Sequence, residues 1–568
     1  MALAQIRKIL PGWKSAAASA AAAGLLILAF PDLELWWTAW FALVPLMWAV
    51  EQEKASVVRS FVTGWIFGTL FFFGTCWWLT FAPITYAGFP PWLAYSGMIF
   101  IAALVGLFPA IFAGILATLL RRFGSWAFLA APFIWVFTEF LRYWLTGNNW
   151  NAIGYSQFSD PNVTKYAAIG GVLAASFVVV LYNLVSRSLI LTFFAVFTLI
   201  KRYGLRQSDE APSDETPRDR PMFSLINDDP YEKRNAVIIG GMLIYVFLVM
   251  WLIPRYPFVG GIAANIVAVQ PNVPMSGLDF DKWGKLRQHQ TDLAEAALRS
   301  IEEKRQTYST AVPAGQPQPT LVVLPESPMN FAYNDDREFQ QFIGDFALRN
   351  NVSVLFNSAE PDKGTPKYFN SAVMVGADGR EVAEYDKIYL LPFGEAVPQY
   401  LEGIVPGFVG NFSYGRKYDL MPVGDARAGV MICFESHFGQ LSRHYAANGA
   451  DVLIEMTNDG YLGPTPVLRQ HLANAVFRAV ETNRPVLRVT NVGVTAYITE
   501  RGEIVDPAPT YAEATRVWSV SRSDGSQTFY VKYGDWFAWL CSAVTLGLLI
   551  FGYGKRRSES PTATNNIA

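Results

Sequence analysis

Long apolar runs, each ending near Lys or Arg, are the feature that most restricts how this chain can fold. The runs are Ser15–Phe30, Leu35–Val50, Phe61–Phe81, Trp92–Leu120, Trp126–Leu145, Ala167–Ser186 and Ala236–Ile253, with Trp536–Tyr553 alone near the C-terminus. A helix needs about 20 mostly apolar residues to cross a bilayer, so the pattern predicts about eight membrane helices. Composition agrees. Of 568 residues, 52% are hydrophobic and 16% are charged, against roughly 25% charged in an average soluble domain. A disordered chain, a collagen-like fibre and a small disulfide scaffold are excluded. The net charge of -2 gives no bulk reason to expect nucleic acid as a partner.

Lys and Arg collect on the cytoplasmic side of a membrane. With the N-terminus inside, the inner segments hold Arg7, Lys8 and Lys14, then Lys54 and Arg59, then Arg121 and Arg122, then Lys201, Arg202, Lys233 and Arg234, then Lys555, Arg556 and Arg557. The outer loops around Pro31–Glu34 and Pro83–Pro91 have none. An even number of spans satisfies every segment. The apolar piece Ser188–Ile200 after Arg187 is too short to span, and reads as a continuation of the sixth helix or as an interfacial segment. At the start of the chain the strongest apolar run follows the small residues Ala18-Ser19-Ala20, the reverse of the order in a cleavable signal. The polar stretch Arg202–Arg234 reads as a flexible cytoplasmic loop, a passive linker or a regulatory segment. The expected organisation is a membrane domain over 1–253, a second domain over 254–533, a last span over 534–554 and a cytoplasmic tail over 555–568.

The second domain has another texture. Strands are predicted at Asn265–Gln270, Thr320–Glu326, Ser353–Asn357, Ser371–Val375, Ala428–Cys433, Asp451–Met456, Val486–Thr490 and Ala496–Thr499. Helices are predicted at Phe280–Lys304, Arg337–Asn350, His437–Asn448 and Pro466–Asn483. Such alternation indicates an α/β or layered α+β domain. Span parity places it outside the cytoplasm. Of three Cys, Cys76 and Cys541 fall in predicted spans, which leaves Cys433 without a disulfide partner. An isolated Cys is most often a buried core thiol. Cys433 differs in closing an apolar strand just before a helical pattern, where a helix N-terminus would stabilise a thiolate and backbone N–H groups would cradle an oxyanion. Glu326 closes another apolar strand, and Lys387 lies in Tyr385-Asp386-Lys387-Ile388-Tyr389-Leu390-Leu391-Pro392-Phe393-Gly394-Glu395. Each alone reads as a surface charge. Together they supply a nucleophile, a base for its proton and a cation for a tetrahedral oxyanion.

These residues resemble the Glu–Lys–Cys triad of the nitrilase superfamily, and the whole chain resembles its membrane-bound branch, the apolipoprotein N-acyltransferase family. Val269-Gln270-Pro271-Asn272-Val273-Pro274 with Lys282-Trp283 is similar to the family's opening strand and Lys-Trp pair. Leu324-Pro325-Glu326-Ser327 resembles the motif that holds the base, and Ile432-Cys433-Phe434-Glu435 the nucleophile motif. Tyr385-Asp386-Lys387 through Pro392-Phe393-Gly394-Glu395-Ala396-Val397-Pro398 is the most specific string. Thr457-Asn458-Asp459-Gly460-Tyr461-Leu462-Gly463, the segment with Arg488, Thr490, Asn491 and Gly493, and, in the membrane half, Trp40–Leu46 and Gly154–Gln157 fit as well. Leu324, Phe434 and Tyr461 depart from the family's Trp, Tyr and Trp but keep apolar bulk. Glu455, inside an apolar strand pattern, has no account at this level.

The resemblance implies a polytopic α-helical membrane domain plus a periplasmic α/β nitrilase-like domain built as an αββα sandwich. It implies Cys433 as nucleophile, Glu326 as base and Lys387 at the oxyanion, with Glu395, Glu435, Phe434, Trp283, Tyr461 and Asn458 supporting or binding substrate. An acyl chain would pass from a phospholipid, phosphatidylethanolamine by family likeness, through a Cys433 thioester to the α-amino group of an S-diacylglyceryl-cysteine at an apolipoprotein N-terminus. Besides these substrates and the bilayer, no nucleic acid, cofactor or metal is expected, and the chain is expected to be a monomer in a bacterial inner membrane with both termini cytoplasmic. The Gly-, Pro- and aromatic-rich Phe393–Tyr418 reads as a mobile lid or as an ordinary loop. Glu139 and Arg142, three apart on a predicted span, either pair on one helix face or reach water at its end. An amidase using the same triad and a non-catalytic membrane scaffold are the alternative readings.

Overall fold

A computed structural model describes residues 9–209, 262–277, 279–309, 318–326, 332–392, 394–397 and 412–558. The membrane half contains α1 (Trp13–Ala29), α2 (Val44–Glu53), α3 (Val57–Cys76), α4 (Pro91–Val105), α5 (Leu107–Phe123), α6 (Ala131–Thr146) and α7 (Val172–Asp209). Four described stretches are long and apolar enough to cross a membrane: Val57–Thr85, Pro91–Thr146, Val172–Phe194 and Trp536–Tyr553. The seventh sequence candidate, Ala236–Ile253, lies outside the described residues, as do 210–234 of the polar segment and 393 and 398–411 of the lid candidate.

Several of the predicted spans are not single helices. Leu35–Val50 divides into a 3-10 turn at Trp36–Trp40 and helix α2, with an irregular join at Phe41–Leu43. Asn183 of α7 takes the backbone groups freed at the join: its Oδ1 accepts from Leu43 N at 2.7 Å and its Nδ2 donates to Ala39 O at 2.7 Å. Pro45 then opens α2, where its missing N–H costs nothing. Trp92–Leu120 breaks at Gly106 into α4 and α5. Pro109 cannot donate back along the helix. The break also lies at a close helix crossing. A Cβ on Gly68 would sit 2.8 Å from Gly106 Cα, and one on Gly64 2.4 Å from the Pro109 carbonyl oxygen. Gly64 and Gly68 thus form the small-residue seam that lets apolar helices meet backbone to backbone.

Helix α7 runs without interruption through Ser188–Ile200, as one of the two sequence readings had it. Arg187 does not end it, because Glu51 neutralises its guanidinium at 2.7 Å and Phe128 lies beneath it at 3.8 Å. The helix reaches Asp209, so the polar segment begins as helix rather than as loop. Glu139 and Arg142 are buried at 6% and 4% exposure and do not reach water. Each bonds away from the other. Glu139 accepts from Trp135 Nε1 and Ile153 N, and Arg142 donates to Trp150 O and Asn149 Oδ1.

The second domain consists of two six-stranded sheets. Its strands are β1 (Ile262–Gln270), β2 (Thr320–Val323), β3 (Ser353–Pro361), β4 (Tyr368–Val375), β5 (Glu381–Asp386), β6 (Met421–Val423), β7 (Ala426–Ile432), β8 (Val452–Thr457), β9 (Val486–Thr490), β10 (Ala496–Ile498), β11 (Ile504–Val505) and β12 (Ala514–Ser521). The sheet orders are β12-β1-β2-β3-β4-β5 and β6-β7-β8-β9-β10-β11. The second repeats the first: three parallel strands flanked by antiparallel ones. The sheets face each other, β1 against β9 and β4 against β7. Helices α8 (Phe280–Ser309) and α9 (Arg337–Asn350) cover the first sheet, and α10 (Gly439–Ala447) and α11 (Val467–Thr482) the second. Central strands β7, β8 and β9 are buried on both faces, as layers on each side require. Helix α12 (Trp536–Ser558) follows, tied to the membrane half by Trp536 Nε1 on Ile169 O at 2.8 Å.

Candidate active site

The triad candidates all leave the sheets at the same end. Strand β2 stops at Val323, and Pro325, lacking an N–H, lifts Glu326 off the ladder. Strand β7 stops at Ile432, and Cys433 starts a 3-10 turn at Cys433–His437 with φ of 53°. Both strand predictions ran too far, and both over-runs end on a site residue. Lys387 follows β5 directly. The carboxyl ends of parallel strands are where open α/β sheets place their ligands.

Lys387 is 1% exposed, with Nζ 2.8 Å from both oxygens of Glu395 and 3.8 Å from Glu326 Oε1. Burial works against its charge, but the two carboxylates overcome that and raise its pKa above the ordinary lysine value. It is therefore a fixed cation. Glu326 is itself raised, first by burial and then by Glu395, with Lys387 pulling the other way. A raised carboxylate is better matched to taking a proton near neutral pH.

Asn370, which the sequence reading did not single out, holds this group together. Its Nδ2 donates to Glu326 Oε1 at 3.0 Å and to Glu395 Oε1 at 2.7 Å, and its carbonyl accepts from Lys387 N at 2.8 Å. The side-chain amide thus separates two carboxylates that would repel, and the backbone carbonyl of the same residue fixes the base of the lysine. Its only trace in sequence is a polar residue at the inward face of β4. Asn458 N holds the other oxygen of Glu326 at 3.1 Å.

Glu435 is fully buried and joins the nucleophile turn to the lysine segment. Oε1 accepts from Tyr385 Oη, Ile388 N and Tyr389 N at 2.7 to 3.0 Å, and Oε2 from Ile432 N at 2.8 Å. Burial pushes its carboxyl up to about 7 against those donors. Phe434 stacks on His437 at 5.6 Å and meets Phe438 edge-on at 5.2 Å. Tyr461 faces Tyr86 of the membrane half at 6.3 Å. Trp283 lies half-buried in the first turn of α8, while the ties between triad members run through Asn370 and Glu435.

The expectation that a helix terminus depresses the Cys433 thiol is not met. The turn after Cys433 is a short 3-10 segment, and α10 starts only at Gly439. Burial, then the Glu326 charge, push the thiol well above its ordinary value, with Lys387 opposing. The thiol therefore rests protonated.

Beneath Cys433 lies a buried group that explains Glu455. It adjoins Arg488 across the β8–β9 register, with Oε1 2.5 Å from Arg488 Nη1, while Arg488 Nη2 holds Asp459 Oδ2 at 2.7 Å. His471 of α11 contacts Asp459 Oδ1 at 2.7 Å and the Cys433 carbonyl at 3.0 Å. Burial opposes the Asp459 charge, but Arg488 and His471 hold its carboxyl down at about 2.

The membrane half reaches the same turn. Asn149 N donates to His437 Nε2 at 3.1 Å, and Trp150 stacks on that ring at 5.1 Å. Burial, then Arg478 and Arg142, keep His437 far below the ordinary histidine range, so its ring is neutral and free to accept. Gln470 accepts from Trp78 Nε1 and Trp150 Nε1 and donates to Thr75 O. Arg478 grips the His437 carbonyl and Glu481, which caps the first amide of α7 at Val172. Among the described residues no cluster of His, Cys, Asp and Glu is arranged to hold a metal ion.

Residues 22–185 match a family model described as the apolipoprotein N-acyltransferase N-terminal domain, and residues 266–530 one described as carbon-nitrogen hydrolase. The chain is 30% identical to an apolipoprotein N-acyltransferase of Geobacter metallireducens, over 91% of each chain. It is 27% identical to one of Brucella suis, over 87% of this chain and 88% of the relative. Among solved structures, an amidase from Nesterenkonia sp. aligns with 49% of this chain and 96% of its own at 16% identity and a TM-score of 0.35.

Proposed function

The chain belongs to the apolipoprotein N-acyltransferase family, and from that premise we propose that acyl transfer runs through Cys433 in two stages. The enzyme is a membrane-bound acyltransferase with phospholipid and lipoprotein substrates. The observation that carries the site assignment is the convergence of Glu326 and Lys387, 3.8 Å apart, with the Cys433 turn that Glu435 ties to the lysine segment.

In the first stage Glu326 takes the Cys433 proton and the sulfur attacks the ester carbonyl of a phospholipid, here proposed to be phosphatidylethanolamine. Lys387 and the Phe434 N–H face the oxyanion. The intermediate collapses, the lysophospholipid leaves with the proton from Glu326, and a thioester remains. In the second stage the α-amine of the diacylglyceryl-cysteine attacks the thioester. An α-amine has a pKa of about 7.7–8.0, so a useful fraction is neutral near pH 7. Glu326 takes its proton, the C–S bond breaks, and an amide is released.

Eight passages and a periplasmic catalytic domain complete the reading. Support comes from polarity along the helices. The catalytic domain contacts the Cys76 end of α3, the Thr146 end of α6 and the Val172 end of α7, whereas Arg59 starts α3 and Arg121 and Arg122 end α5. Basic residues therefore gather at the membrane end far from the catalytic domain. Tyr86 bonds the Gly460 carbonyl at 3.3 Å, so membrane-half aromatics border the site from the side on which acyl chains would arrive.

The test is intact mass of the purified protein after incubation with phosphatidylethanolamine and no acceptor. A hydroxylamine-sensitive gain of one acyl chain, absent in Cys433→Ala, is expected. A reactive Cys433 that acquires no acyl group from any phospholipid would overturn the donor assignment.

A further inference from the structure

Cys433 holds a left-handed backbone with φ of 53°. For a residue with a side chain that conformation is strained and persists only where the surroundings over-determine it. Here the carbonyl oxygen of Cys433 accepts from His471 Nε2 at 3.0 Å, with Ser436 Oγ at 3.4 Å. A carbonyl oxygen can only accept, so Nε2 donates to it, and the Asp459 carboxylate likewise accepts from Nδ1. On the other side of the ring, Nδ1 lies 2.7 Å from Asp459 Oδ1, and Nε2 also comes within 3.2 Å of Glu455 Oε1. Asp459 is fixed in turn by Arg488 and by Thr457 Oγ1. His471 is 5% exposed and Asp459 5%.

An Asp–His pair beside a nucleophile ordinarily serves the nucleophilic atom. This pair serves the backbone instead. The Cys433 carbonyl and the Phe434 N–H belong to one planar peptide and point in opposite directions. Fixing the oxygen therefore fixes the direction of the N–H, and a hydrogen bond to the oxygen polarises the peptide so that its N–H donates more strongly.

We propose that His471, oriented by Asp459, is a positioning residue that aims and polarises the Phe434 N–H toward the oxyanion by holding the Cys433 carbonyl. The inference rests on Cys433 being the nucleophile. Arg488 and Glu455 surround the pair and keep the histidine in one orientation.

The experiment compares the rate of acyl-enzyme formation from phosphatidylethanolamine in full-length protein, His471→Gln and His471→Met, by intact mass. Met removes the donor at similar bulk, and Gln offers an amide N–H. Removal of one oxyanion donor costs about 10²–10³ in rate, so a mis-aimed donor in His471→Met should slow acylation by roughly 10- to 100-fold. The phospholipid KM should be unchanged, because the contact is made only in the transition state. Gln should recover most of the rate. Equal rates in Met and unaltered protein would overturn the inference, as would a folded Gln variant as slow as Met or a change confined to KM. If Met does not fold, the Gln variant decides: kcat near the unaltered value supports the inference, and a large loss of kcat at unchanged melting temperature overturns it. Absence of any adduct in the unaltered protein would instead sink the nucleophile assignment, and this inference with it.

Discussion

The two sheets repeat one topology but do different work. The first supplies Glu326, Asn370, Lys387 and Glu395 in a buried network of carboxylates, amide and ammonium, and its covering helix α9 is amphipathic, with Glu338, Gln341 and Leu348 exposed. The second supplies the nucleophile above the buried Glu455, Asp459, His471 and Arg488, and its covering helix α11 is buried along its whole length. The membrane half makes the difference, because it covers the face of α11 that would otherwise meet water. The comparison teaches that proton chemistry sits on the sheet whose covering helix α9 keeps an exposed face, and geometric rigidity on the sheet whose covering helix α11 is docked against the membrane half.

Substitutions in the two sheets should therefore fail differently. The largest effect belongs to Glu326→Gln, which removes the base and should lower acyl-enzyme formation by about 10²–10⁴-fold while leaving the melting temperature nearly unchanged. Arg488→Met should do the reverse. It leaves Glu455 and Asp459 buried without their cation, and breaking such a buried group costs about 3–5 kcal/mol, read as a lowered melting temperature in detergent. A rate defect with full stability in that variant would break the comparison.

Asn370→Ala should act more mildly, costing about 1–3 kcal/mol for the unsatisfied carboxylates, with a readable sign in pH. The lost amide favoured the charged form of Glu326, so its already raised pKa rises further. Because the base form is required, the acid limb of the acylation rate should move to higher pH. A limb that stays in place would remove Asn370 from the proton network. The smallest effect is expected at Arg299→Ala on α8, whose pair with Glu295 at 3.9 Å is mostly exposed. Such pairs contribute about 0–1 kcal/mol, so melting temperature and rate should both stay near those of the unaltered protein.

What the sequence made legible follows burial. Interior strands β7, β8 and β9 are mostly apolar and stand out, with Arg427, Glu455 and Arg488 as their charged interruptions. Edge strands β5 and β12 mix charged with apolar residues, because one side of each meets solvent, and their Glu381–Asp386 and Ala514–Ser521 carry no strand-length apolar run. Glu326 and Cys433 were legible because each terminates a recognisable apolar run, and Lys387 because it lies in the distinctive string Tyr385–Glu395. Asn370 and His471 were not, since their partners lie 44 and 38 residues away in Glu326 and Cys433 and only folding brings them together. Glu455 resisted explanation for the same reason: its counter-ion Arg488 sits on the neighbouring strand. Apolar length alone did not reveal the join inside Leu35–Val50, where Asn183 satisfies the freed backbone groups.

The bond from Asn149 N to His437 Nε2 has a consequence for the order of assembly. In the growing chain the amide is synthesised 288 residues before the ring that receives it. The nucleophile turn can take this support only after the early helices have inserted and the late domain has settled against them. Completing the active site thus waits on both halves of the chain, and a chain whose first half has gone astray carries every triad residue yet lacks the seat on which its cysteine turn rests.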